Sequence, residues 1–244
     1  MRSREIVQDV LKRTGYILTR WPVEQPEETL RRNLERVLED MAIETVLDVG
    51  AHVGDYGQLL RTIGFEGQIC SFEPSPRPFS VLRARTDQRW SATNIALGDT
   101  EGAAELYDYS EHEVFASLRK PSSFGSDLYG LTVRQTFDVR VRRLDDVCAE
   151  LGIDPIRTYL KIDTQGHDAA VLDGGESTLA KIAGLQLELP MFGIYEGAPS
   201  ATRLIDRVRA AGLELVGMFP VHDDPRPLIP VEFDALFARS TAIG

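Results

Sequence analysis

The stretch Val46-Leu47-Asp48-Val49-Gly50-Ala51-His52-Val53-Gly54-Asp55-Tyr56 decides the fold. Its first half reads as a buried strand, Gly50 and Gly54 mark the turn that ends it, and a helix opens at about residue 54. A strand, a glycine-bearing turn and a helix in that order present open backbone N–H groups to a nucleotide-like ligand. A dinucleotide fingerprint would need glycines at 50, 52 and 55, the middle one so that backbone can approach a pyrophosphate. His52 and Asp55 stand there instead, so a pyrophosphate is not the expected guest.

Working outward, the chain alternates between strand and helix texture. Strands are expected at 44–49, 68–73 and near 91–96, with helices at 54–63 and 77–87, and this rhythm implies parallel strands joined by crossover helices. Residues 98–141 break the rhythm and read as a β-hairpin-like insertion: 104–107 and 136–141 suit antiparallel strands, and the Ser- and Gly-rich stretch between them reads as a mobile loop. The rhythm resumes with a helix at 144–151, a strand at 158–163, a helix at 169–179, a strand at 185–189, a helix at 200–211 and final strands at 213–219 and 231–239. Upstream, 4–15 and 27–40 read as amphipathic helices, giving an N-terminal helical appendage over 1–42 ahead of an α/β domain over 43–244. Leu30, Leu34 and Val37 of the second helix either pack on the core, cap a pocket or supply a homo-oligomer contact.

Composition narrows the partners. With 27 Lys and Arg against 38 Asp and Glu, the formal charge is -11, so a nucleic acid would meet a repulsive average field and is not expected. Cys70 and Cys148 lack metal-ligand spacing and read as buried thiols of a reducing compartment. The first twenty residues mix charges with apolar positions, and no run reaches the length of a membrane span, so a cytoplasmic location is the expectation.

S-adenosylmethionine fits the opening motif better than a phosphate-bearing cofactor, because it offers an ammonium, a carboxylate and a ribose diol. Asp48 could receive the ammonium, directly or through water, while the helix N-terminus after Gly50 faces the carboxylate. Glu73 closes the next strand, 25 positions after Asp48, where a carboxylate can accept both ribose hydroxyls. Asn94-Ile95-Ala96-Leu97-Gly98-Asp99 should lie beside the adenine, and Leu160-Lys161-Ile162-Asp163 ends a strand that places Asp163 in the same crevice.

Together, VLDVGAHVGDY, FEPSPRPFSVLRA, NIALGD, FASL, LKIDTQGHDAAVLDG and LQLEL, in this order over residues 44–189, resemble the FkbM family of methyltransferases. The resemblance implies a Rossmann-like class I methyltransferase fold, a mostly parallel seven-stranded sheet with helices on both faces. It also implies S-adenosyl-L-methionine as donor and a hydroxyl of a sugar, polyketide or other small molecule as acceptor. By position it implies Asp48, Gly50, Gly54, Tyr56, Glu73, Asn94 and Asp163 as cofactor residues, with Ser75 and Ala96 as backbone or edge contacts. One departure stands out: the common family form has Glu before the glycine where this chain has Gln165.

An alcohol needs a general base, or a metal that lowers its pKa, to attack a sulfonium methyl. Candidates are Asp163, His167 and Glu188 at the ends of central strands, with His222 in a late loop; His52 and His112 have weaker claims. Asp163 and Glu188 could alternatively hold a divalent cation such as magnesium. Two rival functions remain at this point, an NAD-dependent oxidoreductase and a non-catalytic binding protein on the same fold.

Overall fold

The computed structural model describes residues 26–109, 114–221 and 230–239. The helix expected at 4–15, His112 and His222 lie outside these residues.

Helix α1 (Pro26–Asp40) leads into β1 (Thr45–Val49), α2 (Asp55–Thr62), β2 (Gln68–Phe72), α3 (Pro76–Arg85) and β3 (Trp90–Thr93). Next come β4 (Ala96–Gly98), β5 (Gly102–Asp108), α4 (Ser123–Tyr129) and β6 (Gln135–Arg143). The chain continues through α5 (Leu144–Leu151), β7 (Thr158–Ile162), α6 (Asp168–Gly174), α7 (Glu176–Leu179), β8 (Gly184–Pro190), α8 (Ala201–Ala210), β9 (Leu213–Pro220) and β10 (Glu232–Arg239).

Seven strands form the main sheet in the order β3-β2-β1-β7-β8-β10-β9. All run parallel except β10, which lies antiparallel to both of its neighbours. This is a doubly wound α/β architecture, with the strand order reversing between β1 and β7, where open α/β sheets collect their ligands.

Alternation along the strands explains the two layers. Leu47 and Val49 of β1 enter one apolar cluster with Leu144, Leu172, Leu204 and Val208, from the helices on that face. Val46 points the other way and packs with Leu34, Leu60 and Leu82 from α1, α2 and α3. Leu34 is 0% exposed, so α1 is part of the packed core.

The insertion differs from a simple hairpin. The expected pairing exists, with Leu106 opposite Phe137 and Tyr107 opposite Thr136, but β4 adds a third, parallel strand, Ala96 opposite Val141. The expected third strand at 91–96 therefore ends at Thr93, and Ala96 belongs to a separate three-stranded sheet, β4-β6-β5. The stretch expected to be a loop holds α4, capped by Ser122, whose hydroxyl accepts from Gly125 N. A Cβ on Gly125 would lie 2.3 Å from the Ile194 carbonyl oxygen, so this helix needs glycine to sit against the 190s loop. The helix expected at 169–179 is two, broken at Gly175, where a side chain would strike Leu144.

Candidate active site

Strand register builds the floor. Asp48 lies opposite Ser71 on one side and Lys161 on the other, and Lys161 lies opposite Gln186, so four polar side chains cross the sheet in one row. They face the α2 side, because Asp48 alternates with Leu47 and Val49. Asp48 is 0% exposed. The Ser71 hydroxyl donates to its Oδ2 at 3.1 Å, and the Lys161 ammonium lies 3.4 Å from its Oδ1. Burial pushes the Asp48 carboxyl above its ordinary value, and the Lys161 charge opposes the shift.

Lys161 also donates to the Gly50 carbonyl at 3.2 Å and to Asp163 Oδ2 at 3.3 Å, under the Tyr56 ring, whose centroid is 5.4 Å away. Burial works against its charge, yet Asp163 and Asp48 outweigh it and hold the ammonium above its ordinary pKa. The Tyr56 hydroxyl donates to Gln186 Oε1 at 2.9 Å, and Gln186 Nε2 donates to Asp234 Oδ1 at 2.8 Å, which completes the row.

Above this floor, at the carboxyl ends of β1, β2, β7 and β8, is a cavity of about 420 Å³. One wall is the turn after β1. Gly50 has φ +76°, and a Cβ there would lie 1.8 Å from the Asp163 carbonyl oxygen, so the turn is pressed directly on the end of β7. His52 adopts φ +48°, which aims its backbone N–H at Glu73 Oε2, 2.7 Å away. Ser75 N donates to the other oxygen, Oε1, also at 2.7 Å.

Glu73 is thus fixed by one donor on each oxygen, and each oxygen keeps acceptor capacity toward the cavity it lines. Burial pushes its carboxyl up to about 7, against the pull of those two N–H groups. Beside it Phe72, Ile95, Ala96 and Leu97 form an apolar wall. A carboxylate with two free acceptor positions next to an apolar slot is a fitting cradle for a ribose diol and a flat heteroaromatic ring.

The opposite end is acidic. Asp163, Glu188 and Asp234 line it. Gln165 Nε2 donates to Asp163 Oδ1 at 2.9 Å and to Glu188 Oε2 at 3.3 Å. Burial, and then the Asp163 charge, push Glu188 well above the usual carboxylate range, and burial pushes nearby Glu232 up to about 8. His167 precedes α6 and lies over Gly98, where a Cβ would be 3.0 Å from its Nε2. Burial, then the Arg119 guanidinium, push its imidazole down to about 4, so it is neutral and able to accept a proton at physiological pH. The mouth is apolar, with Leu30 of α1, Val114, Leu118 and Val221. Among the described residues no group of three or more His, Cys, Asp or Glu side chains is arranged to hold a metal ion.

Most residues anticipated from sequence meet in this cavity: Gly50, Tyr56, Glu73, Ala96, Asp163, His167 and Glu188, together with His52. Others stand behind it. Asp48 lies beneath Lys161 rather than at the cavity wall, which leaves no direct path to a ligand ammonium. Gly54 meets Leu82 and the Trp90 ring, and Ser75 braces Glu73 through its backbone. Asn94 is exposed, and its amide donates to the Glu73 and Pro74 carbonyls at 2.8 and 3.0 Å, so it secures the chain after β2 while its neighbours line the slot. Lys161, Gln186 and Asp234 were not singled out as site residues. A lysine inside the apolar strand Thr158–Ile162 was the available signal for the first, and Gln186 between two leucines for the second.

A family model described as the methyltransferase FkbM domain matches residues 48–215. The chain is 27% identical over 183 residues to the 2-O-methyltransferase NoeI of Sinorhizobium fredii, covering 72% of this chain and 74% of that protein. It is 27% identical over 157 residues to the 31-O-demethyl-FK506 methyltransferase FkbM of Streptomyces tacrolimicus, covering 54% of this chain and 60% of that one. Magnesium protoporphyrin IX methyltransferase of Synechocystis PCC 6803, solved with bound SAM, aligns with a TM-score of 0.46 at 11% identity, over 97% of this chain and 96% of that one.

Proposed function

The chain belongs to the FkbM methyltransferase family and is an S-adenosylmethionine-dependent methyltransferase; from that premise we propose that it methylates a hydroxyl oxygen of a small molecule, sugar or natural product, with His167 as general base. The observation that carries the proposal is a neutral imidazole, held at about pKa 4, among the residues that line the same cavity as Glu73, Asp163 and Glu188. Two relatives whose names specify oxygen acceptors support it.

In this reading Glu73 accepts the ribose hydroxyls and Phe72, Ile95 and Leu97 flank the adenine. S-adenosylmethionine supplies an electrophilic methyl group on a cationic sulfur. Lys161 sets the position of Asp163 and the Gly50 carbonyl, and so the shape of the wall between the two ends. His167 takes the acceptor proton. A weak base suffices, because an alcohol oxygen becomes strongly acidic as it gains a methyl group, and the methyl transfer itself depends chiefly on alignment. The apolar mouth made by Leu30, Val114, Leu118 and Val221 receives the rest of the acceptor and excludes water.

The test is a screen of hydroxylated acceptors, with and without magnesium, followed by His167→Asn on whichever acceptor turns over. The expected outcome is a loss of kcat of about 10²- to 10⁴-fold with unchanged affinity for S-adenosylhomocysteine. With S-adenosylmethionine saturating at every pH, the wild-type kcat/KM for the acceptor should be level above pH 5 on its acid side, falling only as pH drops through about 4, where His167 gains its proton. Full activity in His167→Asn would remove it as base. Tight cofactor binding with no turnover on any acceptor would favour a purely binding role.

A further inference from the structure

Gln165 spends its whole side-chain amide and its carbonyl oxygen on its neighbours. Its backbone is left-handed, at φ +53°, a conformation that costs a residue other than glycine about 1 kcal/mol or more, so the side chain must return something for being there. What it returns is visible in its bonds. Nε2 donates to Asp163 at 2.9 Å and to Glu188 at 3.3 Å, Oε1 accepts from the Tyr195 hydroxyl at 2.8 Å, and the carbonyl oxygen accepts from Ser117 Oγ at 2.6 Å. Ser117 belongs to the insertion and Tyr195 to the loop after β8, and next door Gly166 fits closely against Tyr195, where a Cβ would lie 3.0 Å from the tyrosine side chain.

The polarity of the amide is matched at both ends. Its two N–H groups meet two carboxylates and its oxygen meets a hydroxyl, so a carboxylate in its place would set oxygen against oxygen on both flanks. With no cation between them, two acids this close disfavour each other's ionised form, and the Asp163 charge adds to burial in pushing Glu188 up. Lys161 supplies one charge, but to Asp163 and Asp48, not to Glu188.

We infer that Gln165 is a positioning residue whose amide takes the place of a bridging cation: by donating to both Asp163 and Glu188 it holds the acid pair ready without a metal, and through Ser117 and Tyr195 it ties the insertion and the loop after β8 to that pair. The inference rests on the proposed function only in treating the pair as the acceptor end, and its test needs no acceptor.

The test compares wild type, Gln165→Glu and the double variant Gln165→Glu with Asp163→Asn, using Mn²⁺ alone as probe, followed by electron paramagnetic resonance of the free ion. Calorimetric titration with S-adenosylhomocysteine reports that the fold and the cofactor end survive. The third carboxylate should complete an oxygen-ligand set, so Gln165→Glu should bind Mn²⁺ at least about tenfold more tightly than wild type, and the double variant should lose that gain. The inference is overturned if wild type binds Mn²⁺ as tightly as Gln165→Glu. It is also overturned if Gln165→Glu binds S-adenosylhomocysteine normally yet gains no affinity for Mn²⁺.

Gln165→Met, close in size but without donors, covers the case in which the charged variant does not fold. Its loss in melting temperature should be larger at pH 8.5 than at pH 6, because Glu188, already pushed up by burial and the Asp163 charge, loses a donor that favours its ionised form. The charged and titratable groups facing the pair are Asp48, Lys161, Asp168, Glu232, Asp234 and Tyr195, all unchanged in this variant. An equal loss at both pH values would mean that Gln165 only fills space.

Discussion

Glu73 faces two opposing demands, and they give it a measurable signature. Burial raises its carboxyl to about 7, while ribose hydroxyls would donate best to the ionised form. Binding therefore lowers the Glu73 pKa, and affinity for S-adenosylhomocysteine should strengthen as pH rises through about 7 and weaken as it falls, a trend that Glu73→Gln should flatten. Calorimetry at pH 6 and pH 8 checks it. The same raised value acts oppositely on the unliganded fold: the protonated form is the one that folding favours, so this contribution to stability is present at low pH and lost as pH rises through about 7. At this scale the sequence was informative where a residue's place on its strand sets its role. Glu73 and Asp163 each follow the last residue of a parallel strand and reach the crevice as expected. Asp48 lies within β1, as the expected strand at 44–49 has it, but alternation turns its side chain into the sheet beside Lys161, so it does not line the cavity. Seeing that requires the register of β1 against β7, which no local pattern contains.

Among the elements, the turn from β1 to α2 has the least freedom. A methyl group on Gly50 would meet the Asp163 carbonyl at 1.8 Å and force φ +76° on a residue with a Cβ. Gly50→Ala should therefore cost about 3 kcal/mol or more, combining strain with overpacking, and should abolish S-adenosylhomocysteine binding. Chemical denaturation together with calorimetry checks both parts, and near-normal values for both would show that the turn can move away from β7. The turn was readable because its glycines are local signals. β4 was not, since three residues carry no periodicity and its partner β6 follows some forty residues later. Helix α4 was hidden for another reason: Ser123-Phe124-Gly125-Ser126 has the composition of a loop, and what holds it is the Ser122 cap and the fit of Gly125 on Ile194.

Across the whole molecule, one sheet separates two apolar layers, and the ligand end lies where the strand order reverses. The alternating rhythm of strand and helix made this architecture legible, whereas the role of the upstream segment was open among core, cap and oligomer contact. Leu34 resolves part of it by packing with Val46, Leu60 and Leu82 while Leu30 reaches the cavity mouth, so α1 serves the core and the mouth together. Leu34→Ala should cost about 2–5 kcal/mol in denaturant unfolding, and a change under about 0.5 kcal/mol would mean that α1 does not contribute to the stable core.

The measurement that bears most directly on the cofactor geometry is calorimetric titration of wild type, Glu73→Ala and His167→Asn with S-adenosylhomocysteine, with NAD as control. Binding should be micromolar in wild type, weaker by at least about tenfold in Glu73→Ala, unchanged in His167→Asn and absent for NAD. Unaltered binding in Glu73→Ala, or a loss in His167→Asn as large as that in Glu73→Ala, would contradict the division of the cavity into a cofactor end at Glu73 and an acceptor end at His167.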